Sequence, residues 1–139
     1  MTDHFALPPT NAVRPRELPD LAHHTDVDMP AAYQPRLVHL SGEMLSGADL
    51  FITSRSVINL ADPAEPNVSP HRHDVSQTYL LFSPDNSLEV EFDIDDKHFT
   101  ARAPATVFVP AGALHAPRIL RGTGTVVSVI RASHQAASK

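Results

Sequence analysis

Two histidines one residue apart, His71 and His73, lie in the segment SPHRHDVSQTYLLF, which spans residues 69–82. Residues i and i+2 of an extended chain project from the same face and lie about 6 to 7 Å apart. Imidazoles at that separation reach a single ion, because metal–nitrogen bonds are about 2 Å long. The pair therefore predicts part of a metal site.

Gln77 is a further candidate ligand, but its distance from the histidine pair requires a turn. It follows His73 by four residues, which in a straight strand corresponds to about 13 Å, too far for one ion. Asp74 and Ser76 belong to residue types that favour turns. If Gln77 is a ligand, we expect the chain to turn at residues 74–76 and to place Gln77 on a neighbouring strand.

A second signal lies in VFVPAGALHAPRIL, residues 107–120. Pro110 and Gly112 predict a turn between two apolar strands. The next strand is expected to begin near Ala113 and to carry His115. A histidine just after a tight turn lies at the end of a barrel, where an ion is both enclosed and accessible.

The elements that must position these residues have the alternation of β-strands. Apolar and polar residues alternate in Leu88–Ile94, which predicts a sheet with one face toward solvent. This strand is expected to end in a turn at Asp95–Lys97, which joins it to the next strand as a hairpin. A second turn between two strands is expected at GTGT, residues 122–125. Strands are predicted at residues 36–44, 49–60, 77–82, 87–95, 98–103, 105–110, 113–120 and 125–133. Short strands in this number, without an amphipathic helix, predict an all-β barrel or sandwich of the jelly-roll type.

The N-terminal region differs in composition from the rest of the chain. Residues 1–35 hold six of the 13 prolines, which predicts an extended arm ahead of a barrel domain at residues 36–139. This arm is either a loosely ordered tail or a segment that packs on its own barrel or on a second subunit. His23 and His24 lie in it, and adjacent residues of a strand point apart, so we do not expect them to be ligands.

Composition limits the classes of function. The chain has 139 residues, a one-domain length, and no cysteine, which excludes disulfides, thiolate metal sites and a cysteine nucleophile. The net charge is −5 and the basic residues are scattered, so no nucleic-acid partner is expected. No apolar run is long enough for a signal peptide or a membrane span, so a cytoplasmic protein without membrane contact is expected.

The segments HRHDVSQ and PAGALH resemble the two sequence motifs of the cupin superfamily. Those motifs contain His-x-His followed three or four residues later by Glu, and then Pro-x-Gly-x-x-His. The resemblance covers about residues 50–131 and implies a cupin-type jelly-roll β-barrel. It also implies one divalent metal ion per chain and a homodimer, with the arm as the expected dimer contact. The ligands it implies are His71, His73, Gln77 and His115, which suit iron, manganese, zinc or nickel.

The main departure from the motif is Gln77, which stands where glutamate is usual. Some cupins resemble this chain in having three histidines and a glutamine, including polyketide cyclases and hydroxynitrile-lyase-like proteins. The glycines of the motifs would fall at Glu65, Pro84 and Pro104, so the loop conformations are expected to differ. The asparagine that ends the second motif would fall at Ile119.

Several other side chains have an expected position. Tyr79 has the parity of Gln77, so it is expected to face the interior, either as a proton donor or as core packing. His39 is expected to be a core histidine rather than a ligand. Exposed positions are expected for Arg55, Arg102, Arg118 and His98, and core or pocket-lining positions for Phe82, Phe92 and Phe108.

These residues predict a metal-dependent enzyme acting on a small molecule. Replacing a carboxylate ligand by an amide leaves more positive charge on the ion, which favours Lewis-acid chemistry on a carbonyl- or enol-containing substrate. A lyase, isomerase or cyclase step fits that chemistry. One alternative is a mononuclear Fe(II) dioxygenase, and another is a non-catalytic cupin that binds a small ligand.

Overall fold

The computed structural model describes residues 11–18, 24 and 29–132, and in these residues the regular structure is all strand. The strands are β1 (Arg16–Glu17), β2 (Leu37–Leu40), β3 (Phe51–Leu60), β4 (Gln77–Phe82), β5 (Glu89–Ile94), β6 (Lys97–Arg102), β7 (Ala105–Val109) and β8 (His115–Ile130). None of the described residues belongs to a helix long and apolar enough to cross a membrane.

All strand pairs are antiparallel, and β8 connects the two parts of the fold. Its first half pairs with β5, which pairs in turn with β6. Its second half lies between β3 and β4, in a sheet with the order β1-β2-β3-β8-β4-β7. The predicted all-β, jelly-roll architecture is confirmed.

The interior follows the period of two that the sequence predicted. Leu88, Val90, Phe92 and Ile94 are all buried, and the intervening acidic side chains of β5 are on the outer face. A two-residue turn at Asp95 and Asp96 connects β5 to β6; the predicted turn also included Lys97, which is the first residue of β6. Replacing a fully buried aromatic such as Phe92 by alanine typically costs about 3 to 5 kcal/mol.

The prediction of a turn at residues 122–125 is wrong, because β8 continues through this segment. Gly122 has a φ of 103°, and the register against β3 shifts next to it. A Cβ at Gly124 would lie 2.2 Å from the backbone oxygen of Phe82. The glycines therefore allow the backbone of neighbouring residues to approach β8 closely, and they do not end the strand.

Two phenylalanines do not lie where the sequence placed them. Phe92 is in the core, whereas Phe82 and Phe108 are 55% and 59% exposed. Both have the opposite parity to the inward residues of their strands, such as Leu81 and Val107, so they project from the outer face of the barrel.

The described part of the N-terminal arm packs against its own barrel. Strand β1 pairs with β2, and the backbone of Leu18 donates to the carbonyl of Arg36 (2.8 Å). Closer to the barrel, Tyr33 forms a bridge with Val57. The arm residues that the structure describes therefore extend the sheet. His23 and the remainder of the arm lie outside the described residues.

Candidate metal centre

His71 and His115 are held opposite each other by the backbone. Each donates its N–H to the other's carbonyl, at 3.1 and 2.9 Å, in an isolated antiparallel bridge. His115 is the first residue of β8, three residues after the turn at Ala111 and Gly112. Gly112 donates its N–H to the carbonyl of His73 (2.8 Å), so the turn is also attached to the second histidine of the pair.

The chain bends between His73 and Gln77, and Gln77 begins β4. The bend brings Gln77 back beside the histidines, as the spacing required. The three histidines each have a ring nitrogen within 4.8 Å of the others, and their ring centroids are 4.6 to 5.2 Å apart. All four side chains are buried, at 2 to 6% exposure.

Backbone carbonyls determine the tautomers of two of the histidines. Nδ1 of His71 donates to the carbonyl of Ser69 (2.6 Å), and Nδ1 of His115 donates to the carbonyl of Ala113 (2.9 Å). Because a carbonyl only accepts, the proton of each neutral ring is on Nδ1 and the lone pair is on Nε2. Both rings thus have the tautomer and second hydrogen bond typical of metal-ligating histidines.

Gln77 turns its carbonyl oxygen toward the histidines. Its Nε2 donates to Oγ of Ser128 (2.6 Å), and its Oε1 lies 2.9 Å from Nε2 of His115. With the Nδ1 tautomer of His115, two electron-pair donors face each other at that distance. Such an arrangement is repulsive unless a proton or a cation is shared, and burial lowers the pKa of His115, which disfavours the proton. The donor set therefore fits a bound metal ion.

Tyr79 lies next to this cluster on β4. It is buried, its ring centroid is 6.5 Å from that of His115, and its hydroxyl interacts with the Gln77 side chain. Burial raises its pKa well above the ordinary value, and the hydrogen bond from Gln77 only partly opposes this shift. The phenol therefore remains protonated at neutral pH and acts as a hydrogen-bond donor.

The other polar side chains considered from the sequence lie away from the cluster. Nε2 of His39 is bonded to Oγ of Ser54 (2.7 Å). His98 is exposed and contacts Asp93 (2.6 Å), and Arg102 is exposed and paired with Glu89. The expectation of a solvent-facing Arg118 is wrong in part: its guanidinium is half-buried and donates twice to the carbonyl of Ala64 (3.0 and 2.6 Å).

The position of the Arg55 side chain differs most clearly from the sequence prediction. It was expected at the surface, but it lines a pocket of about 70 Å³, together with Arg36 and His24. Phe51, Thr53, Arg55 and Val57 share one parity, and this parity is the inward one. The alternation of side chains along β3 could therefore have predicted from the sequence that Arg55 faces inward.

His24 lies closer to the cluster than its position in the arm predicted. Its ring centroid is 6.0 Å from that of His71, and its Nδ1 accepts a hydrogen bond from Nη2 of Arg36 (3.1 Å). It bridges to Val68, so it belongs to the wall of the pocket rather than to the three-histidine group. Nothing in its sequence surroundings indicated this contact.

Comparisons with known proteins identify the fold. No family sequence model and no curated protein sequence matches the chain. Among solved structures, the chain is similar to a predicted oxalate decarboxylase from Thermotoga maritima, with a TM-score of 0.56 and 14% identity over 86% of this chain and 93% of that one. It is also similar to an RmlC-like cupin from Shewanella frigidimarina, with a TM-score of 0.50 and 14% identity over 88% and 96%.

An oxalate oxidase structure is similar as well, with a TM-score of 0.54 and 14% identity over 86% of this chain and 59% of that one. At these identities the likeness is one of fold. The chain has the cupin fold, and within that fold three buried histidines are placed so that they could hold a metal ion.

Proposed function

We propose that this protein is a divalent-metal enzyme that uses its metal as a Lewis acid on a small carbonyl- or enol-containing substrate. The proposed ligands are His71, His73, Gln77 and His115, with one ion per chain. The reaction class is a lyase, isomerase or cyclase step. The similarity of fold to a predicted oxalate decarboxylase and to an oxalate oxidase supports an enzyme, without naming the reaction.

The composition of the donor set carries the proposal. Three neutral imidazoles and an amide oxygen converge in a buried site, and no carboxylate among the described residues belongs to the cluster. A divalent ion held by these neutral donors would keep its full +2 charge, and the chemistry it would supply is Lewis-acid polarisation of a carbonyl or enol oxygen.

The groups around the donor set have separate tasks. Ser69 and Ala113 hold two imidazole rings in the metal-binding tautomer through their carbonyls, and Ser128 holds the Gln77 amide. Tyr79, which stays protonated, is proposed to donate a hydrogen bond from its hydroxyl to an oxygen of the substrate. Val90, Ile119 and Val126 line a pocket together with Tyr79, and their apolar side chains are proposed to limit the access of water on that side of Tyr79.

Elemental analysis of protein purified without chelators tests the metal site directly. We expect about one transition-metal, zinc or manganese ion per chain, and its loss in a His71→Ala, His115→Ala double variant, because only two of the four proposed ligands then remain and three is the usual minimum. His98→Ala is the matched control, since His98 is exposed and lies outside the cluster. A wild-type protein without stoichiometric metal would refute the proposal and leave the ligand-binding module as the better explanation.

The assignment to non-redox chemistry is tested by oxygen. Turnover by the Lewis-acid route is expected to be equal in air and under anaerobic conditions. If the iron-loaded protein consumes O₂ during turnover and is inactive without it, the protein is a dioxygenase and the Lewis-acid proposal is wrong.

We also propose a homodimer, formed through the outer face of strands β4 and β7. Phe82 and Phe108 are more than half exposed on this face, and the half-buried Leu80 lies between them on β4. Exposed aromatic side chains clustered on one face are typical of protein interfaces. The described arm residues pack on their own barrel, so this face is the better candidate for the contact.

A further inference from the structure

A second apolar cluster lies at the end of the barrel where Gln77 begins β4. Its buried members are Val38, Phe51 and Ile130, at 3 to 7% exposure. Ile130 is the last residue of β8, and it pairs with Phe51 on one side and with Gln77 on the other. Because directly paired residues project from the same face of a sheet, the Ile130 side chain lies beside that of Gln77. This group of three residues is called the end cluster below.

Half-buried apolar side chains from separate segments of the chain pack against the end cluster. They are Leu18, Met44, Val75 and Ala132. Val75 is the only apolar residue in the bend between His73 and Gln77. Leu18 belongs to the arm, and its backbone N–H donates to the carbonyl of Arg36 (2.8 Å). The end cluster therefore connects the arm to the bend of the candidate site.

Both ends of the bend are fixed by the backbone. The carbonyl of His73 accepts a hydrogen bond from the N–H of Gly112 (2.8 Å), and Gln77 is held by the pairing of β4 with β8. Between them, Asp74 is exposed, whereas Val75 packs on the end cluster. Valine is stiff at χ1, so this contact restricts the backbone of the bend as well as the side chain.

We infer that Val75 is a positioning residue for Gln77. Its packing on the end cluster sets the direction in which the chain returns to the histidines, and it thereby supports the orientation in which Oε1 of Gln77 lies 2.9 Å from Nε2 of His115. Leu18 packs on the same cluster, so the arm contributes to this support. The role of Gln77 as a metal ligand rests on the proposed function, whereas the position of its amide does not.

Nitrogen–proton correlation NMR of the metal-free protein tests the position of the amide. Nε2 of Gln77 donates to Oγ of Ser128 (2.6 Å), so Ser128→Ala marks the resonance of an amide that has lost this acceptor. We expect Val75→Ala to move the Gln77 side-chain resonance toward that position, and Leu18→Ala to move it in the same direction. Val75→Ile is expected to keep the wild-type resonance, because it retains a β-branched apolar side chain.

Competition with a chromogenic chelator then tests whether Val75 acts through Gln77. We expect Val75→Ala to bind Zn²⁺ about tenfold more weakly than the wild type, an effect typical of residues that orient a metal ligand. In a Gln77→Ala background the same substitution is expected to have no further effect, since the ligand that it orients is then absent. Leu120→Ala is the matched control, because Leu120 is a half-buried residue of β8 outside the end cluster.

An unshifted Gln77 resonance in a folded Val75→Ala variant would overturn the inference, and so would an equal loss of Zn²⁺ affinity with and without Gln77. An unshifted resonance in Leu18→Ala would exclude the arm from the support. If the wild-type protein never binds metal but the resonance moves in Val75→Ala, the positioning role stands and the metal enzyme is refuted. A protein that binds metal, and whose resonance does not move in this variant, gives the reverse result.

Discussion

Replacing Gln77 by glutamate changes the charge of the candidate metal centre and little else. The new carboxylate would occupy a position that is 5% exposed and 2.9 Å from Nε2 of His115. The net charge of the four donors would change from zero to −1. The donation from Nε2 to Ser128 would be lost, although the hydroxyl of Ser128 can rotate and donate to a carboxylate instead.

The expected result is tighter binding of metal. Two unit charges about 4 Å apart interact by about 4 kcal/mol at an effective dielectric constant of about 20, and this attraction favours the carboxylate. Leaving a buried hydrogen-bonding group poorly satisfied costs about 1 to 3 kcal/mol, which offsets part of the gain. We therefore expect Gln77→Glu to bind Zn²⁺ about ten- to a hundredfold more tightly than the wild type.

Competition with a chromogenic chelator at a fixed pH measures this change. Gln34→Glu is the matched control, because it makes the same chemical change at an exposed position. A folded Gln77→Glu variant with wild-type affinity for Zn²⁺ would show that Gln77 is not a ligand.

The same variant tests the proposed chemistry once a substrate is known. Slower turnover is expected, since a metal ion with less net positive charge polarises an oxygen less strongly. An unchanged rate and an unchanged pH dependence would show that the amide has no role in setting the charge of the site.

Three further predictions concern the rest of the molecule. Gly124→Ala is expected to lower the free energy of unfolding by about 3 kcal/mol, because the new Cβ would lie 2.2 Å from the carbonyl oxygen of Phe82. Urea denaturation measures this change, and a midpoint equal to that of the wild type would contradict the close approach of the two backbones. The pKa of His98 is raised mainly by its hydrogen bond to Asp93, so Asp93→Asn is expected to lower its NMR titration midpoint. The stability from that contact is present below the ordinary histidine pKa and is lost as the pH rises through the raised one, and an unshifted midpoint would exclude the contact. Phe108→Ser is expected to convert a wild-type dimer to a monomer in sedimentation velocity, and a monomeric wild type would refute the proposed interface.

The sequence by itself was sufficient to predict the class of fold and the elements that carry the candidate site. The predicted strand at residues 77–82 has the bounds that the structure shows, and the inward face of β5 was predicted correctly. These features are local, because a side chain alternates with its neighbours whatever lies on either side of the sheet. The spacing of His73 and Gln77 likewise required a bend before any neighbour was known.

Only the tertiary structure decided what each face meets. Alternation places Arg55 and Phe108 on definite faces of their strands, but closure of the barrel determines that Arg55 faces the pocket and Phe108 faces outward. The continuity of β8 through Gly122 and Gly124 depends on the close approach of a neighbouring strand, which glycine permits and no local pattern reveals. The orientation of the Gln77 oxygen toward His115 depends in the same way on Ser128, 51 residues away in the chain.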